Sequence, residues 1–311
     1  MTKQFDENNA ANSAGDTEGD FLVLTAAPKS DYFTEARLTE LAETMHGLPD
    51  PRRLSADAVE YRLGANETGV TDALVNHFAD APFDINRVSG RNRRKKMLIA
   101  DLESTIIEQE CLDELAVHIG KQEVMVDITE RAMRGELDFE PALRERVAML
   151  KGLPEASLQA LYDNGVTLMP GAATLLTTLR AHDVFCGLVS GGFAFFASRI
   201  AERLDFNRFQ CNDLNLTDGV LDGTVVDPIL GRAAKAEILT AWAEELGFSE
   251  DDVLATGDGS NDLAMLGIAG MGVAFRAKPA VAETARYRIR HGDLTGLLYL
   301  QGYAESDFVT P

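Results

Sequence analysis

The sequence predicts an α/β protein with a doubly wound parallel sheet, an inserted helical cap and a small N-terminal α/β module. Two apolar runs, MLIA at Met97–Ala100 and FCGLV at Phe185–Val189, are typical of buried parallel strands. A third, VLAT, lies within Asp252–Leu263. Each run ends on acidic, hydroxyl or glycine residues, and open α/β sheets bind ligands at the carboxyl ends of their strands. The three runs therefore predict one sheet with a ligand crevice along one edge.

The N-terminal ninety residues are predicted to form a tail and a small module. Residues 1–20 carry few apolar side chains, which predicts a disordered tail. Residues 21–90 alternate between strand and helix patterns, as in an α/β sandwich. The predicted elements are a strand at Phe21–Ala26, a helix at Thr34–His46, a strand at Ala58–Leu63, a helix at Val70–Ala79 and a strand at Phe83–Val88. The basic run 91–96, RNRRKK, is expected to be a solvated interdomain linker.

Later segments complete the predicted core. Residues Phe209–Val226 alternate around two turns, at Thr217–Gly219 and Asp222–Gly223, which predicts a β-hairpin near the sheet edge. Amphipathic periodicity after Gly231 predicts a helix to about Leu246. The remaining expected elements are strands at Gly270–Phe275 and Tyr287–Arg290, a helix at Pro279–Ala285 between them, and a closing segment at Leu294–Leu300.

Composition argues against several classes of function. A formal net charge of −21 would repel a polyanion, so no nucleic-acid partner is expected. No apolar run approaches the roughly 18 residues that span a bilayer, and residues 1–20 lack the apolar stretch of a signal peptide. We therefore expect a cytoplasmic protein without a membrane partner. Cys111, Cys186 and Cys211 lie in apolar contexts at spacings unlike those of zinc sites, which predicts reduced core thiols.

An acid pair follows the first core strand. Asp101 ends the run MLIA, and Glu103 lies two residues later. In an extended chain, residues i and i+2 point the same way, so both carboxyls would enter one small volume. Two such charges repel unless a cation lies between them or one carboxyl keeps its proton. A solvated acidic turn is the ordinary interpretation, and three further segments argue against it.

These segments supply an anion cradle, a cation and more acids. Ser190, followed by two glycines before a helical pattern, would expose a hydroxyl and backbone N–H groups to an anion. Lys235 lies near the start of the predicted amphipathic helix, where a lysine is normally solvated. The glycine-rich loop with Asp258, Asn261 and Asp262 offers oxygen ligands of the kind that Mg²⁺ prefers.

The order of these segments resembles the four motifs of the haloacid dehalogenase-like (HAD) phosphatases: an acid pair, Ser-Gly-Gly, a lysine, then Gly-Asp-Gly-x-Asn-Asp. Three further segments resemble the phosphoserine phosphatases within that superfamily. They are QECLDELA at Gln109–Ala116, AMRGELDFEPALRERVAML at Ala132–Leu150 and LMPG at Leu168–Gly171. The resemblance spans about Lys96 to Gly302. It implies a Rossmann-like HAD core at 97–303, a helical cap at about 106–162 and a C-terminal tail at 304–311.

The resemblance implies Mg²⁺-dependent hydrolysis of O-phospho-L-serine to L-serine and phosphate, the last step of L-serine biosynthesis. Asp101 would be the nucleophile that becomes an aspartyl phosphate, and Glu103 the general acid and base. Lys235 would neutralise charge on the phosphate and on Asp101. The implied Mg²⁺ ligands are Asp101, the main-chain carbonyl of Glu103, Asp258 and Asp262. The implied phosphate and substrate contacts in the core are Ser190, Gly191 and Asn261.

The cap is where the family selects its substrate. The expected cap helices are Cys111–Ile119, Val124–Arg134 and Phe139–Met149. Glu110 matches the family residue that binds the amino group of phosphoserine. Arg146 matches the one that binds its carboxylate, for which a planar guanidinium is suited. Met133 and Phe139 would form an apolar wall behind them.

One residue departs from the family pattern, since the second acid of the first motif is normally aspartate and is Glu103 here. The extra methylene moves the carboxyl by about 1 Å, and such a misplacement can cost roughly a hundredfold in rate. Two alternatives stay open. One is a phosphatase or phosphotransferase of this fold acting on another small monophosphate. The other is a weakly catalytic paralogue that binds phosphoserine for regulation. The N-terminal module is similar to ACT-type regulatory modules, which suits either effector binding or a homodimer.

Overall fold

The computed structural model describes residues 19–44, 49–64, 74–75, 77–78 and 80–310. Its N-terminal elements are β1 (Asp20–Ala26), α1 (Glu35–Thr44), β2 (Arg52–Arg53), β3 (Ala58–Leu63) and β4 (Phe83–Ser89). The strands form an antiparallel sheet in the order β2-β3-β1-β4. Leu22 and Leu24 of β1 pack in one cluster with Leu41 of α1, whereas Phe21 and Val23 join the main core. The strand is therefore apolar from Phe21 to Leu24 because both of its faces are buried there.

Most predictions for this module are confirmed where the structure describes it. The three predicted strands are present, and α1 begins one residue later than predicted. The prediction of a disordered tail is wrong at Asp20, which begins β1. Residues 1–18 lie outside the described part of the chain. The predicted helix Val70–Ala79 lies mostly outside it as well. β2 has only two residues, too few for an alternating pattern to indicate a strand.

The basic run 91–96 is only partly the solvated linker that was predicted, because Arg91, Arg94 and Lys96 are exposed but Arg93 and Lys95 are not. The Arg93 guanidinium lies 2.7 Å from the Glu60 carboxylate of the module, and the two side chains are only 9% and 3% exposed. Arg93 Nε also donates to the Leu300 carbonyl of the core at 2.8 Å. Lys95 is buried too. From the sequence alone, a run of basic residues is expected to be solvated. The buried carboxylate and carbonyl groups that pair with this run lie far away along the chain, so the local pattern does not reveal them.

Two polar side chains of β4 hold the module against the core. The Asp84 carboxylate accepts hydrogen bonds from the backbone N–H groups of Arg290 and His291, each at 2.9 Å. The Asn86 side chain donates to the carbonyl of Arg288 at 2.8 Å and accepts its N–H at 2.9 Å. These contacts satisfy backbone groups at the edge of the core sheet, which an edge strand otherwise leaves unpaired.

The core is an all-parallel sheet of six strands with buried apolar residues on both faces. The elements from residue 97 onward are β5 (Met97–Ala100), α2 (Cys111–Val117), α3 (Gln122–Met133), α4 (Phe139–Met149), α5 (Glu155–Asn164), α6 (Ala172–Ala181), β6 (Phe185–Phe193), α7 (Ala194–Arg203), β7 (Arg208–Asn212), β8 (Leu214–Thr217), β9 (Val220–Val225), α8 (Arg232–Glu245), β10 (Val253–Gly257), α9 (Leu263–Ile268), β11 (Met271–Phe275), α10 (Pro279–Thr284), β12 (Tyr287–Ile289) and α11 (Gly296–Leu300). The strand order is β12-β11-β10-β5-β6-β7. Met97 and Ile99 pack into one cluster, and Leu98 and Ala100 into the other. The doubly wound fold is confirmed.

The cap is inserted after β5, as predicted. Its helices α2, α3 and α4 match the three expected ones within two residues at each end. A fourth helix, α5, packs on α2 and was not predicted. It continues to Asn164, past the expected cap boundary at 162.

The predicted hairpin needs correction. β8 and β9 form a separate two-stranded antiparallel sheet around the predicted turn Thr217–Gly219. The second predicted turn, Asp222–Gly223, lies inside β9 instead. Within the predicted C-terminal tail, the Glu305 N–H donates to the Leu54 carbonyl at 2.8 Å and Phe308 packs on the core.

Among the helices that the structure describes, none combines the length and apolar character needed to cross a membrane.

Candidate active site

The carboxyl ends of three adjacent strands bring the predicted catalytic segments together. Asp101 follows β5, Ser190 lies in the neighbouring strand β6, and Asp258 follows β10 on the other side. The parallel order β10-β5-β6 therefore builds the crevice that the apolar runs predicted.

Three carboxylates meet at this edge. One oxygen from each of Asp101, Asp258 and Asp262 lies within 4.8 Å of the others, and all three side chains are buried. Burial raises the pKa of Asp258 well above its ordinary value, and repulsion by Asp262 and Asp101 adds to the rise. Burial and the charge of Asp101 raise the pKa of Asp262 to about 6. Such a cluster is stabilised by a cation.

Lys235 is the cation that the protein itself supplies. Helix α8 places its Nζ 2.8 Å from Asp101 Oδ1 and 2.7 Å from Asp262 Oδ1, and all three side chains are 5% exposed or less. Burial alone would lower the pKa of Lys235, but the two ion pairs outweigh it and raise the pKa above its ordinary value. One ammonium against three carboxylates leaves two negative charges. This net charge of the cluster suits a divalent cation.

Asp262 is held more firmly by the protein than Asp258. Its Oδ2 accepts the N–H groups of Asp258 and Gly259 at 3.1 and 3.0 Å, while Lys235 occupies Oδ1. Among the residues described, Asp258 accepts one long side-chain hydrogen bond, from Thr105 at 3.4 Å. The Asp258 carboxylate is therefore the freer of the two to bind a further group.

Glu103 lines the same cavity as Asp101. Its Oε1 accepts the N–H of Cys111, the first residue of α2, at 2.9 Å. Burial raises the pKa of Glu103, the Cys111 N–H lowers it, and the nearby charge of Asp101 raises it again, with a net rise. A raised pKa favours the protonated carboxyl, which is the form that a general acid requires.

The cap closes over this cavity with the residues predicted for substrate binding. The lining residues that the sequence predicted are Asp101, Glu103, Ser190, Gly191 and Asn261 from the core and Glu110, Met133, Phe139 and Arg146 from the cap. The lining residues that it missed are Leu112, Leu143, Gly192 and Phe193. Leu112 and Leu143 are ordinary apolar residues of two helices, so no local signal marked them, and Gly192 and Phe193 end strand β6. The cavity measures about 20 Å³, which is room for about one water molecule.

Arg146 is supported from behind by two residues that the sequence did not indicate. It is 5% exposed, and its Nη1 donates to Thr129 Oγ1 at 3.0 Å. Thr129 in turn donates to Asp113 Oδ1 at 2.6 Å. A guanidinium has five N–H donors, so Arg146 keeps donors for a ligand in the cavity that it lines.

Glu110 supplies negative charge on the cap side. Its Oε1 accepts the hydroxyl of Ser104 at 2.7 Å. Burial raises the pKa of Glu110 well above its ordinary value, and the charges of Glu103 and Asp258 add to the rise. An incoming ammonium group would relieve this repulsion and favour the ionised carboxylate.

Asn261 and Ser190 face the cavity from the core. Asn261 Oδ1 is buried and finds no hydrogen-bond donor among the described residues. An unsatisfied buried acceptor costs about 1–3 kcal/mol, so its place on the cavity favours a ligand there. Ser190 Oγ accepts the N–H of Gly192 at 2.9 Å and keeps its own proton for donation.

Comparison with known proteins shows which protein family this chain resembles. Residues 98–267 match the model of the haloacid dehalogenase-like hydrolases. The chain is 41% identical over 215 residues to the phosphoserine phosphatase SerB2 of Mycobacterium tuberculosis. That match covers 69% of this chain and 52% of the relative, so the chain spans about half of that protein's length.

Two solved structures share the fold. A HAD family hydrolase from Salmonella enterica serovar Typhi superposes with a TM-score of 0.80 at 30% identity, over 90% of this chain and 97% of that one. A phosphoserine phosphatase bearing an analogue of its phospho-aspartyl intermediate superposes with a TM-score of 0.64 at 36% identity, over 66% of this chain and 98% of that one. The first covers most of the chain, and the second covers about two thirds.

Proposed function

The chain belongs to the haloacid dehalogenase-like hydrolase family, and we propose that it is a Mg²⁺-dependent phosphoserine phosphatase. One observation carries the proposal. A single cavity joins Asp101, which is paired with Lys235, to Arg146 and Glu110 of the cap. The first two suit phosphoryl transfer, and the last two suit the carboxylate and ammonium of an amino acid. The product, L-serine, makes this the last step of L-serine biosynthesis.

The reaction divides into two displacements at phosphorus. A carboxylate oxygen of Asp101 attacks the phosphorus, the bond from phosphorus to the serine oxygen breaks, and Glu103 gives that oxygen a proton. Water then gives a proton to Glu103 and attacks the aspartyl phosphate, releasing phosphate and restoring the Asp101 carboxylate. Lys235, Ser190 and the Gly191 N–H stabilise the phosphate oxygens. The solved relative with a phospho-aspartyl intermediate analogue supports this division.

The donor set fits Mg²⁺. Carboxylate oxygens without cysteine or histidine are the ligands of a hard cation. We assign Asp101, Asp258 and the main-chain carbonyl of Glu103 as ligands, and Asp262 as the residue that steadies the metal or its waters. When bound, the metal supplies positive charge that offsets the phosphate and the nucleophile.

Substrate entry requires the cap to move. A cavity of about 20 Å³ is far smaller than phosphoserine. The Ser260 hydroxyl donates to the Ala132 carbonyl of α3 at 3.0 Å, a contact between core and cap that opening would break. After closure, Met133 and Phe139 would form the apolar wall that excludes water from the site.

We expect the purified protein to release phosphate from L-phosphoserine when Mg²⁺ is present. Phosphate release should stop when the metal is chelated. Phosphate release is measured for phosphoserine and for a panel of small monophosphates. Preference for phosphoserine by at least about tenfold supports the proposal, because two charged cap residues recognise its amino-acid end. Faster turnover of another monophosphate would favour the same chemistry on that substrate. Binding of phosphoserine without turnover would favour a regulatory paralogue.

Arg146→Ala is expected to raise KM for phosphoserine by about ten- to a hundredfold, because a charge-assisted hydrogen bond to the carboxylate is lost. KM for phosphoethanolamine, which lacks the carboxylate, should change by less than about threefold. Arg144→Ala is the matched control: Arg144 is exposed on the same helix and pairs with Glu140 and Asp227. Equal losses on both substrates would show that Arg146 serves cap packing instead.

A further inference from the structure

We propose that Thr129 is a positioning residue for Arg146: its hydroxyl holds the guanidinium toward the cavity, and Asp113 holds the hydroxyl. This inference rests on the proposed function, in which Arg146 binds the carboxylate of the substrate. Thr129 and Asp113 do not line the cavity themselves. Both therefore act through Arg146, and they help to decide how strongly a ligand with a carboxylate is preferred.

The three residues come from three different cap helices and form one chain of hydrogen bonds. Asp113 lies in α2, Thr129 in α3 and Arg146 in α4. Arg146 Nη1 donates to Thr129 Oγ1 at 3.0 Å, and Thr129 Oγ1 donates to Asp113 Oδ1 at 2.6 Å. All three residues are buried, so a group that loses its partner here is not easily satisfied by water.

The chemistry of the groups fixes the direction of each hydrogen bond. A guanidinium can only donate, so Thr129 Oγ1 must accept the proton of Arg146. The hydroxyl has one proton of its own, which goes to the Asp113 carboxyl. The distance of 2.6 Å between Thr129 Oγ1 and Asp113 Oδ1 is typical of a hydrogen bond to an ionised oxygen. Asp113 therefore keeps a lone pair of the hydroxyl turned toward Arg146.

Thr129 also keeps two opposite charges apart. Burial raises the pKa of Asp113, whereas the hydrogen bond from Thr129 and the charge of Arg146 lower it, so the two charges attract each other. Besides the bond to Thr129, the guanidinium makes one long hydrogen bond among the described residues, from Nε to the Ala142 carbonyl at 3.4 Å. Without the hydroxyl, we expect the guanidinium to turn toward Asp113 and away from the cavity.

The same chain of hydrogen bonds fixes Arg146 relative to Glu110. The Asp113 N–H donates to the Glu110 carbonyl at 3.1 Å, because Glu110 immediately precedes α2 and Asp113 lies in its first turn. In the proposed function Arg146 binds the carboxylate and Glu110 the ammonium, and in an α-amino acid both groups are attached to one carbon atom. The spacing of the two side chains must therefore be held, and Thr129 connects the helices that carry them.

Two ligands that cannot be hydrolysed test the positioning role in the presence of Mg²⁺. One is the phosphonate isostere of L-phosphoserine, in which a methylene replaces the ester oxygen, and the other is the same molecule without its carboxylate. The ratio of the second Kd to the first measures the preference for the carboxylate. Thr129→Val keeps the shape but loses the hydroxyl, and it should lower this preference by about tenfold, as expected for one hydrogen bond to a charged group. Thr129→Ser keeps the hydroxyl and should lower it by less than about threefold.

A second buried threonine supplies the matched control. Thr178 lies in α6, outside the cavity lining, and its Oγ1 accepts the Val309 N–H at 2.9 Å. Thr178→Val also removes a hydrogen bond from a buried hydroxyl, but it should leave the preference for the carboxylate within about twofold of wild type. A tenfold loss of preference in this variant would show that the readout reports general destabilisation, against the proposal.

A double-mutant cycle shows whether Thr129 acts through Arg146. In the Arg146→Ala background, Thr129→Val should change the preference by less than about twofold, because the group that Thr129 positions is gone. A similar tenfold loss in both backgrounds, or equal weakening of both ligands by Thr129→Val, would overturn the proposal. If Thr129→Val does not fold, Asp113→Asn decides: it keeps the size of the side chain and removes the charge that holds the hydroxyl. It should lower the preference by at least about threefold, and an unchanged preference would overturn the proposal.

Phosphate release from phosphoserine separates this inference from the proposed function. If the wild type prefers the isostere with the carboxylate and this preference depends on Thr129, but phosphoserine is not turned over, the proposed function fails and the positioning role stands. If phosphoserine is turned over and the preference does not depend on Thr129, the positioning role fails and the proposed function stands. A wild type without any preference for the carboxylate would overturn the positioning role, whatever its turnover.

Discussion

Asp101→Asn is expected to abolish phosphoserine turnover, by at least about a thousandfold in kcat, while the protein stays folded. The change keeps the shape of the side chain and removes the negative charge and nucleophilic oxygen that attack phosphorus. It also removes one of three clustered carboxylates. Lys235 keeps its ion pair with Asp262 while repulsion within the cluster falls, so Tm without metal should not decrease.

Three measurements test this outcome: phosphate release, Tm and the binding of a phosphoryl mimic. Beryllofluoride resembles a phosphoryl group on aspartate, so it should inhibit and stabilise the wild type only with Mg²⁺ and should have no effect on Asp101→Asn. Asp218→Asn is the control, because Asp218 lies in a turn at φ +52° that asparagine also adopts. Turnover by Asp101→Asn within tenfold of wild type would exclude Asp101 as the nucleophile.

Lys235→Met is expected to cost about 3–5 kcal/mol in the free energy of unfolding and to remove activity. Methionine has a similar length, but it leaves the buried carboxylates of Asp101 and Asp262 without their shared cation. Removing one partner of a buried ion pair is costly because the other charge stays buried and unpaired. Chemical denaturation at pH 7 measures the loss.

The pH dependence of this loss follows from the sign of the carboxylate shifts. The pKa of Asp262 is already raised to about 6 in the wild type, above its unfolded value, and it rises further when Lys235 is removed. A carboxyl with a raised pKa destabilises the folded state above that pKa and ceases to do so when protonated. The difference between Lys235→Met and wild type should therefore shrink from pH 7 to pH 5.

Lys96→Met provides the matched control. Lys96 lies 3.0 Å from Asp252, but its side chain is 57% exposed, so its loss should cost less than about 1 kcal/mol. If Lys235→Met and Lys96→Met were equally mild at pH 7, the buried ion-pair triad would not have the role assigned here.

Local patterns were enough to predict most of the core. The run MLIA at Met97–Ala100 predicted a buried strand because it is apolar throughout, and β5 does have both faces covered. Patterns failed where the partner is distant. The run 91–96 looked solvated, whereas Arg93 meets Glu60 in a buried ion pair. Asp222–Gly223 has turn composition, but it lies within β9, at the place where the register with β8 shifts and Gly223 has a φ of +87°.

The sequence by itself determined the chemistry of the site, because strand ends, glycine-rich loops and acid spacing are local features. It predicted most of the side chains that line the crevice, including Asp101, Ser190 and Arg146. Only the tertiary structure decided how these groups are held. The Glu103 carboxyl accepts the Cys111 N–H and lies beside Gly192, nearly ninety residues further along the chain. Distances between such groups arise from packing, in which every element restricts its neighbours. Local sequence patterns therefore do not determine these distances.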